Sequence, residues 1–258
     1  MPDKESHKIL QTVRDFLKQE EDTYGPFQLP DIGKPESSGQ TKTNIGKLEG
    51  SGHAEPADAG LDNVKRVEQA KTLEELRELC LNASELHTDL ENTNLVFGIG
   101  NPDAKVMLIG EAPGSQEDKQ GEPFVGRAGQ LLNKILEAIS FRREEVYIAN
   151  ILKHRPPNNR DPLPEERRRS LPYLYRQIDL IRPQFIVCLG RVSAQTLLDT
   201  NQPMKALRGR FHPFRNDIEL MVTFHPAALL RNPAWKRDTW EDVKMLRKRY
   251  DEKNGENR

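Results

Sequence analysis

Glu111, Glu117, Asp118, Asn150 and His225 are the residues of this chain best suited by type and setting to do chemistry. The carboxylates offer an acid–base pair. Asn150 offers an amide that can both donate and accept, and His225 an imidazole that titrates near neutrality. Each stands at or just after the end of a short apolar run. KVMLIG (105–110) leads into GEAPGSQED (110–118), and VYIANILK (146–153) carries Asn150 into KHRPPNNRDP (153–162). FIVCLG (185–190) stops at Gly190, and ELMVTFHP (219–226) is halted by Pro226, just after His225. Two readings stay open for several of these groups. Glu111 could merely cap the helix that follows, Asn150 could satisfy loop backbone, and Asp118 could fix a loop or a helix start. His87 and His212 lack such settings and read as structural. GEAPG (110–114) lacks the Lys–Ser/Thr ending of a phosphate loop and the spacing of a dinucleotide fingerprint, so nucleotide binding is discounted.

The elements that must position these residues follow from the pattern around them. Between the apolar runs lie helical spacings at 128–139, 164–182 and 191–199, with a last one at about 238–250. Strands separated by helices predict an α/β fold of three layers, helices covering both faces of a four-stranded, mainly parallel sheet. In such sheets ligands bind beyond the carboxyl ends of the strands, where these side chains collect.

Charge divides the chain. It carries 39 Lys+Arg against 40 Asp+Glu, a net charge of -1, with 35% hydrophobic and 31% charged residues and a mean hydropathy of -0.76. Residues 1–90 hold 11 basic and 18 acidic side chains, a net of -7; the rest hold 28 and 22, a net of +6. Ile9, Leu10, Val13, Phe16 and Leu17 predict a short amphipathic helix within residues 1–24, a candidate docking segment for a protein partner. Residues 25–62 read as a disordered linker, and 63–251 as the folded domain. Thr72 and Glu75 form a capping box ahead of a helix over about 72–86. The only cysteines are Cys80 and Cys188, which excludes a disulfide scaffold and a four-thiolate metal site. No apolar run approaches the ~20 residues of a membrane span, and the N-terminus does not read as a signal peptide, so a cytoplasmic setting is expected.

GEAPGSQED, GEPFVGRAGQLL (121–132), NILKHRPPNNRDPLPEE (150–166) and FHPAALLRN (224–232) together resemble the family 4 uracil-DNA glycosylases. The resemblance covers about residues 92–249. It implies hydrolysis of the N-glycosidic bond of uracil in DNA, the first step of base excision repair. It also implies that Phe124 stacks on the flipped uracil, that Asn150 reads its Watson–Crick edge and that His225 donates to its O2. Glu111 and Glu117 stand at positions the family uses to organise the site and the attacking water. Ala112 stands where related glycosylases carry Asp, so no base is expected there, though its backbone can bind substrate. In the HPAALLRN loop, Leu229 and Leu230 are candidate wedges for the gap left by a flipped base, or else they start a core-packed helix. Arg231, Arg155 and Arg160 are candidate phosphate contacts, supported by basic stretches at 153–169 and 203–215. An alternative is a catalytically silent DNA-binding module of the same fold.

The chain departs from the family at its four-iron, four-sulfur cluster. The four cysteine positions correspond to Leu81, Ser84, His154 and Ser170. No cluster and no other metal are therefore expected. Packing is expected to replace it, with a Ser84–His154–Ser170 hydrogen-bond cluster as a candidate. The expected enzyme is a monomer acting on uracil-containing DNA, with no membrane partner.

Overall fold

The computed structural model describes residues 57–255. The helix expected near residues 4–22 and most of the linker lie outside them. The linker boundary at residue 62 falls inside a helix, α1, spanning Ala57–Gln69. Helix α2 covers Leu73–Leu81, and Ser84–Leu86 makes a 3₁₀ turn after it. The Thr72 side chain caps α2 by accepting from the Glu75 N–H at 3.1 Å; the Glu75 carboxylate reaches back to the Lys71 N–H at 2.6 Å.

The sheet is built from β1 (Ile99–Gly100), β2 (Val106–Gly110), β3 (Tyr147–Asn150), β4 (Phe185–Leu189), β5 (Phe211–Phe214) and β6 (Ile218–Thr223). Its order is β1-β3-β2-β4-β6-β5. The four expected strands are the parallel centre, β3-β2-β4-β6. Two short antiparallel strands, β1 beside β3 and β5 beside β6, extend it to six. The helices after β2 are α3 (Ser115–Gln120) and α4 (Arg127–Ala138); α5 (Pro164–Ile181) joins β3 to β4. Then come α6 (Arg191–Leu197), α7 (Met204–Leu207), α8 (Pro226–Arg231) and α9 (Lys236–Asn254).

Alternation along β2 explains the layers. Val106 and Leu108 point to one face, where Leu132 and Leu136 of α4 and Val243 and Leu246 of α9 cover them. Met107 and Ile109 point to the other, against Leu174 and Ile178 of α5 and Ala194 and Leu197 of α6. A third cluster joins Leu76 and Cys80 of α2 to Phe97 and to Tyr173 of α5. Each large apolar side chain so buried contributes about 1.5–3 kcal/mol, which fixes the strand ends against one another. No helix among the described residues is long and apolar enough to cross a membrane.

Candidate active site

The carboxyl ends of β2, β3 and β6 open into a cleft of about 350 Å³. Glu111, Ala112, Glu117, Phe124, Asn150 and His225 all line it. The strand register brings two of its walls together, because Gly110 and Asn150 pair across β2 and β3. A Cβ on Gly110 would lie 2.3 Å from Asn150 Oδ1 and 2.7 Å from Phe124 Cζ. Only glycine leaves room there for both the amide and the ring.

Phe124 is buried and holds a left-handed backbone at φ 53°, an unfavourable conformation for a residue with a side chain. Its surroundings impose that conformation. The Glu117 carboxylate accepts from the N–H groups of Val125 (3.0 Å) and Gly126 (2.9 Å), closing the loop onto α3. On the other side, a Cβ at Gly129 in α4 would lie 1.8 Å from the Phe124 carbonyl oxygen, so this close approach needs glycine. Glu117 thus organises the site by holding Phe124. The Asp118 carboxylate accepts from the Asn94 N–H at 2.8 Å, which makes it a loop-fixing group.

His225 is the N-cap of α8. Its Nδ1 accepts from the Ala227 N–H at 3.1 Å. That bond assigns the ring proton to Nε2, leaving it as a donor. Burial lowers the imidazole pKa to about 4; nearby Arg231 adds to the fall and Glu117 opposes it. The ring is therefore neutral at physiological pH. Its centroid stands 5.4 Å from that of Phe124. Asn150 is 2% exposed, and its Oδ1 is buried with no hydrogen-bond partner among the described residues. An unpaired buried amide oxygen is costly, and on a cleft wall it is placed to accept from a bound molecule.

Glu111 is half-buried in the cleft. Burial raises its carboxyl pKa to about 7, Asp161 raising it further while Arg191, Arg167 and Arg231 pull it down. A carboxyl group poised near neutrality suits a proton acceptor for water. It is protonated below that value, so base function grows as pH rises through it. We expect the rate of the reaction housed here to climb through about pH 7. Glu111→Gln should lower the rate and remove that rise; a pH profile that keeps the rise in Glu111→Gln would exclude Glu111 as its source.

Around the cleft the structure sorts the remaining candidates. Leu229 is 1% exposed and packs in the core, so it is no wedge. Leu230, its partly exposed neighbour, keeps that candidacy, and Arg231 is exposed on the cleft rim. Arg155 lies outside the cleft lining and donates to Asn159 Oδ1 at 2.7 Å. Arg160 lines the cleft, but its guanidinium makes a two-pronged pair with buried Glu166 (2.8 and 2.7 Å) and bonds Asp89 at 3.1 Å. It clamps loop to helix and has no charge to spare for phosphate. Within the basic stretches Arg208 pairs with Asp242 and Asp238, Arg215 with Asp179, and Lys153 is buried, whereas Arg168, Arg169, Lys205 and Arg210 are exposed. Sequence reasoning missed Asp161, which reaches the cleft and pairs with Arg191, and it missed the need for Gly110. A glycine closing a buried strand directly before Glu111 was the available signal for Gly110.

The iron–sulfur cluster that the resemblance implies does not fit the residues present. Leu81 is 46% exposed and Ser84 is exposed. His154 and Ser170 are buried, but an imidazole and a hydroxyl are not a thiolate set. Cys80 sits in α2 within the third cluster, its thiol pKa pushed up to about 12 by burial, and Cys188 lies in β4 in a different cluster. The expected Ser84–His154–Ser170 cluster does not form. His154 Nδ1 instead lies 3.0 Å from Thr93 Oγ1, its ring stacks on His87 at 4.1 Å, and Ser170 Oγ has no partner among the described residues.

A parallel-sheet cleft with a neutral imidazole donor, an unpaired amide oxygen and an aromatic wall suits a planar, hydrogen-bonding ring. Comparison with known proteins narrows the choice. Residues 97–244 match the family described as the uracil DNA glycosylase superfamily. The type-4 uracil-DNA glycosylase of Archaeoglobus fulgidus is 44% identical over 60% of this chain and 81% of its own. That of Thermotoga maritima is 40% identical over 68% of this chain and 95% of its own. The type-5 uracil-DNA glycosylase of Thermus thermophilus is 32% identical over 47% and 60%. The chain belongs to the uracil-DNA glycosylase superfamily.

Proposed function

We propose that this chain is a monofunctional uracil-DNA glycosylase that starts base excision repair without an iron–sulfur cluster. The observation that carries the chemistry is the pairing of a fixed Nε2–H on His225 with an unsatisfied amide on Asn150 in one cleft. A deoxyuridine must leave the duplex to reach them, at a cost of a few kcal/mol. The uracil ring then lies against Phe124, and the Asn150 amide reads its edge. As the bond between C1′ and N1 breaks, its electron pair passes to the uracil. His225 Nε2–H donates to O2, where negative charge grows. The sugar cation is captured by water, whose proton goes to the Glu111 carboxylate. Leu230 fills the vacated space and Arg231 meets a phosphate.

Among the described residues no lysine ammonium lines the cleft as a Schiff-base nucleophile, which supports base release without strand cleavage. The test is an oligonucleotide with a single deoxyuridine. The product should be a full-length strand that breaks only on alkali treatment. Intact DNA after that treatment would instead favour a silent DNA-binding module.

The cluster-free part of this reading rests on the donor set and on what joins the same segments. Thr88 Oγ1 donates to the Arg155 carbonyl at 2.6 Å, Tyr173 OH donates to Glu85 at 2.6 Å, and Arg160 links Asp89 to Glu166. We expect anaerobically purified protein to contain no stoichiometric iron, to lack visible absorption and to keep its melting temperature in chelator. Stoichiometric iron would overturn this part. The reading further includes a monomer working in the cytoplasm, with the amphipathic spacing of residues 4–22 supporting a docking role for residues 1–24.

A further inference from the structure

Lys153 is among the largest fully buried side chains, at 0% exposure. Its ammonium donates to the Phe97 carbonyl (3.2 Å), the Asn150 carbonyl (3.1 Å) and Gln177 Oε1 (2.5 Å). All three of its protons are used, and every acceptor is neutral. No carboxylate among the described residues pairs with it. Burial lowers its pKa to about 8, so it stays mostly charged at neutral pH. A buried cation without a counter-ion opposes folding, and an apolar side chain of similar volume is often as stable or more so. The three acceptors and the Phe97 ring, 5.9 Å from the ammonium, hold the group in place, but none of them neutralises its charge.

Its position supplies a reason for that charge. Lys153 stands three residues after Asn150, where the chain leaves β3, and grips the carbonyl of that residue. The Asn150 amide lines the cleft and carries the unsatisfied oxygen. We propose that Lys153 is a positioning residue for base release: it fixes the Asn150 backbone and sets a positive charge with no carboxylate partner against the carbonyl of the residue that reads the base. This rests on the glycosylase reading above. Lys153 transfers no proton. When the C1′–N1 bond breaks and its electron pair moves to the base, the field of the ammonium lowers the energy of the developing anion. In a poorly screened interior such a charge is worth on the order of 10- to 100-fold in rate.

The test uses the full chain in single-turnover base release from oligonucleotides carrying uracil or 5-fluorouracil. Fluorine stabilises the departing anion, so 5-fluorouracil needs less help from the protein. Lys153→Met should slow uracil release on the order of 10- to 100-fold and slow 5-fluorouracil release clearly less. Gln177→Glu places a carboxylate against the ammonium. A purely structural lysine would tolerate that partner, whereas an electrostatic one is neutralised, so uracil release should again slow more than 5-fluorouracil release. Melting temperatures confirm folding, and Gln177→Glu decides alone if Lys153→Met does not fold. Equal losses on both bases, or an unchanged rate in Gln177→Glu, would overturn the inference. Release of neither base by the unsubstituted chain would overturn the glycosylase reading itself, and this inference with it.

Discussion

Replacing His225 with alanine is expected to slow uracil release about 100- to 1,000-fold while leaving DNA affinity nearly unchanged. The reason is when the donor acts. In the proposed mechanism the Nε2–H meets an oxygen that gains most of its negative charge as the glycosidic bond breaks, so its loss falls on the chemical step. The Ala227 N–H fixes the donating tautomer before substrate arrives, so little reorganisation is needed. Half-buried beside Phe124, with its pKa lowered to about 4, the imidazole stays neutral throughout the neutral range. An imidazolium would donate a proton outright; a neutral ring stabilises the anion by hydrogen bonding. Single-turnover rates and DNA titrations on His225→Ala measure the two quantities separately. A loss confined to DNA affinity would assign His225 to binding alone.

Gly110→Ala is expected to reduce uracil release on the order of 100-fold or more, although the substitution adds one methyl group. That methyl would intrude on Asn150 Oδ1 at 2.3 Å and on Phe124 Cζ at 2.7 Å. Neither neighbour yields freely. Asn150 is tied through strand pairing to Gly110 itself, and the backbone beside Phe124 is held by Glu117. A displacement of about 1 Å in a positioning group can cost about 100-fold in rate. Overpacking of this kind also destabilises by about 1–3 kcal/mol. Urea unfolding and single-turnover kinetics on Gly110→Ala should show both effects. A near-normal rate would mean that the aromatic wall and the amide need not stand as placed here.

The parallel centre of the sheet was legible because buried strands leave dense apolar runs, and each carried its chemical group at the end that such sheets use for ligands. The edges were not. Ile99–Gly100 is too short to show a period, and Pro213 interrupts Phe211–Phe214, so both strands exist through pairing with their neighbours. At the site, residue type and local setting were enough to nominate Glu111, Asn150 and His225. They could not separate Leu229 from Leu230, because adjacent positions on a helix point in different directions and only the docking of α8 buries the first. The same limit applies to charge. Lys153 stands in a basic stretch and reads as a phosphate contact, yet tertiary packing encloses it completely. Arg160 likewise reads as free until the fold brings Glu166 and Asp89 to it.

On the proposed mechanism, the Asn150–His225 pair in this cleft releases uracil from DNA. Free uracil measured in single turnover, for the unsubstituted chain beside Asn150→Ala and His225→Ala, tests it most directly. Release is expected from a deoxyuridine strand and none from the matching thymidine strand, with a loss of about 100-fold or more in each variant. Full activity in both variants, or no uracil from the unsubstituted chain, would contradict it.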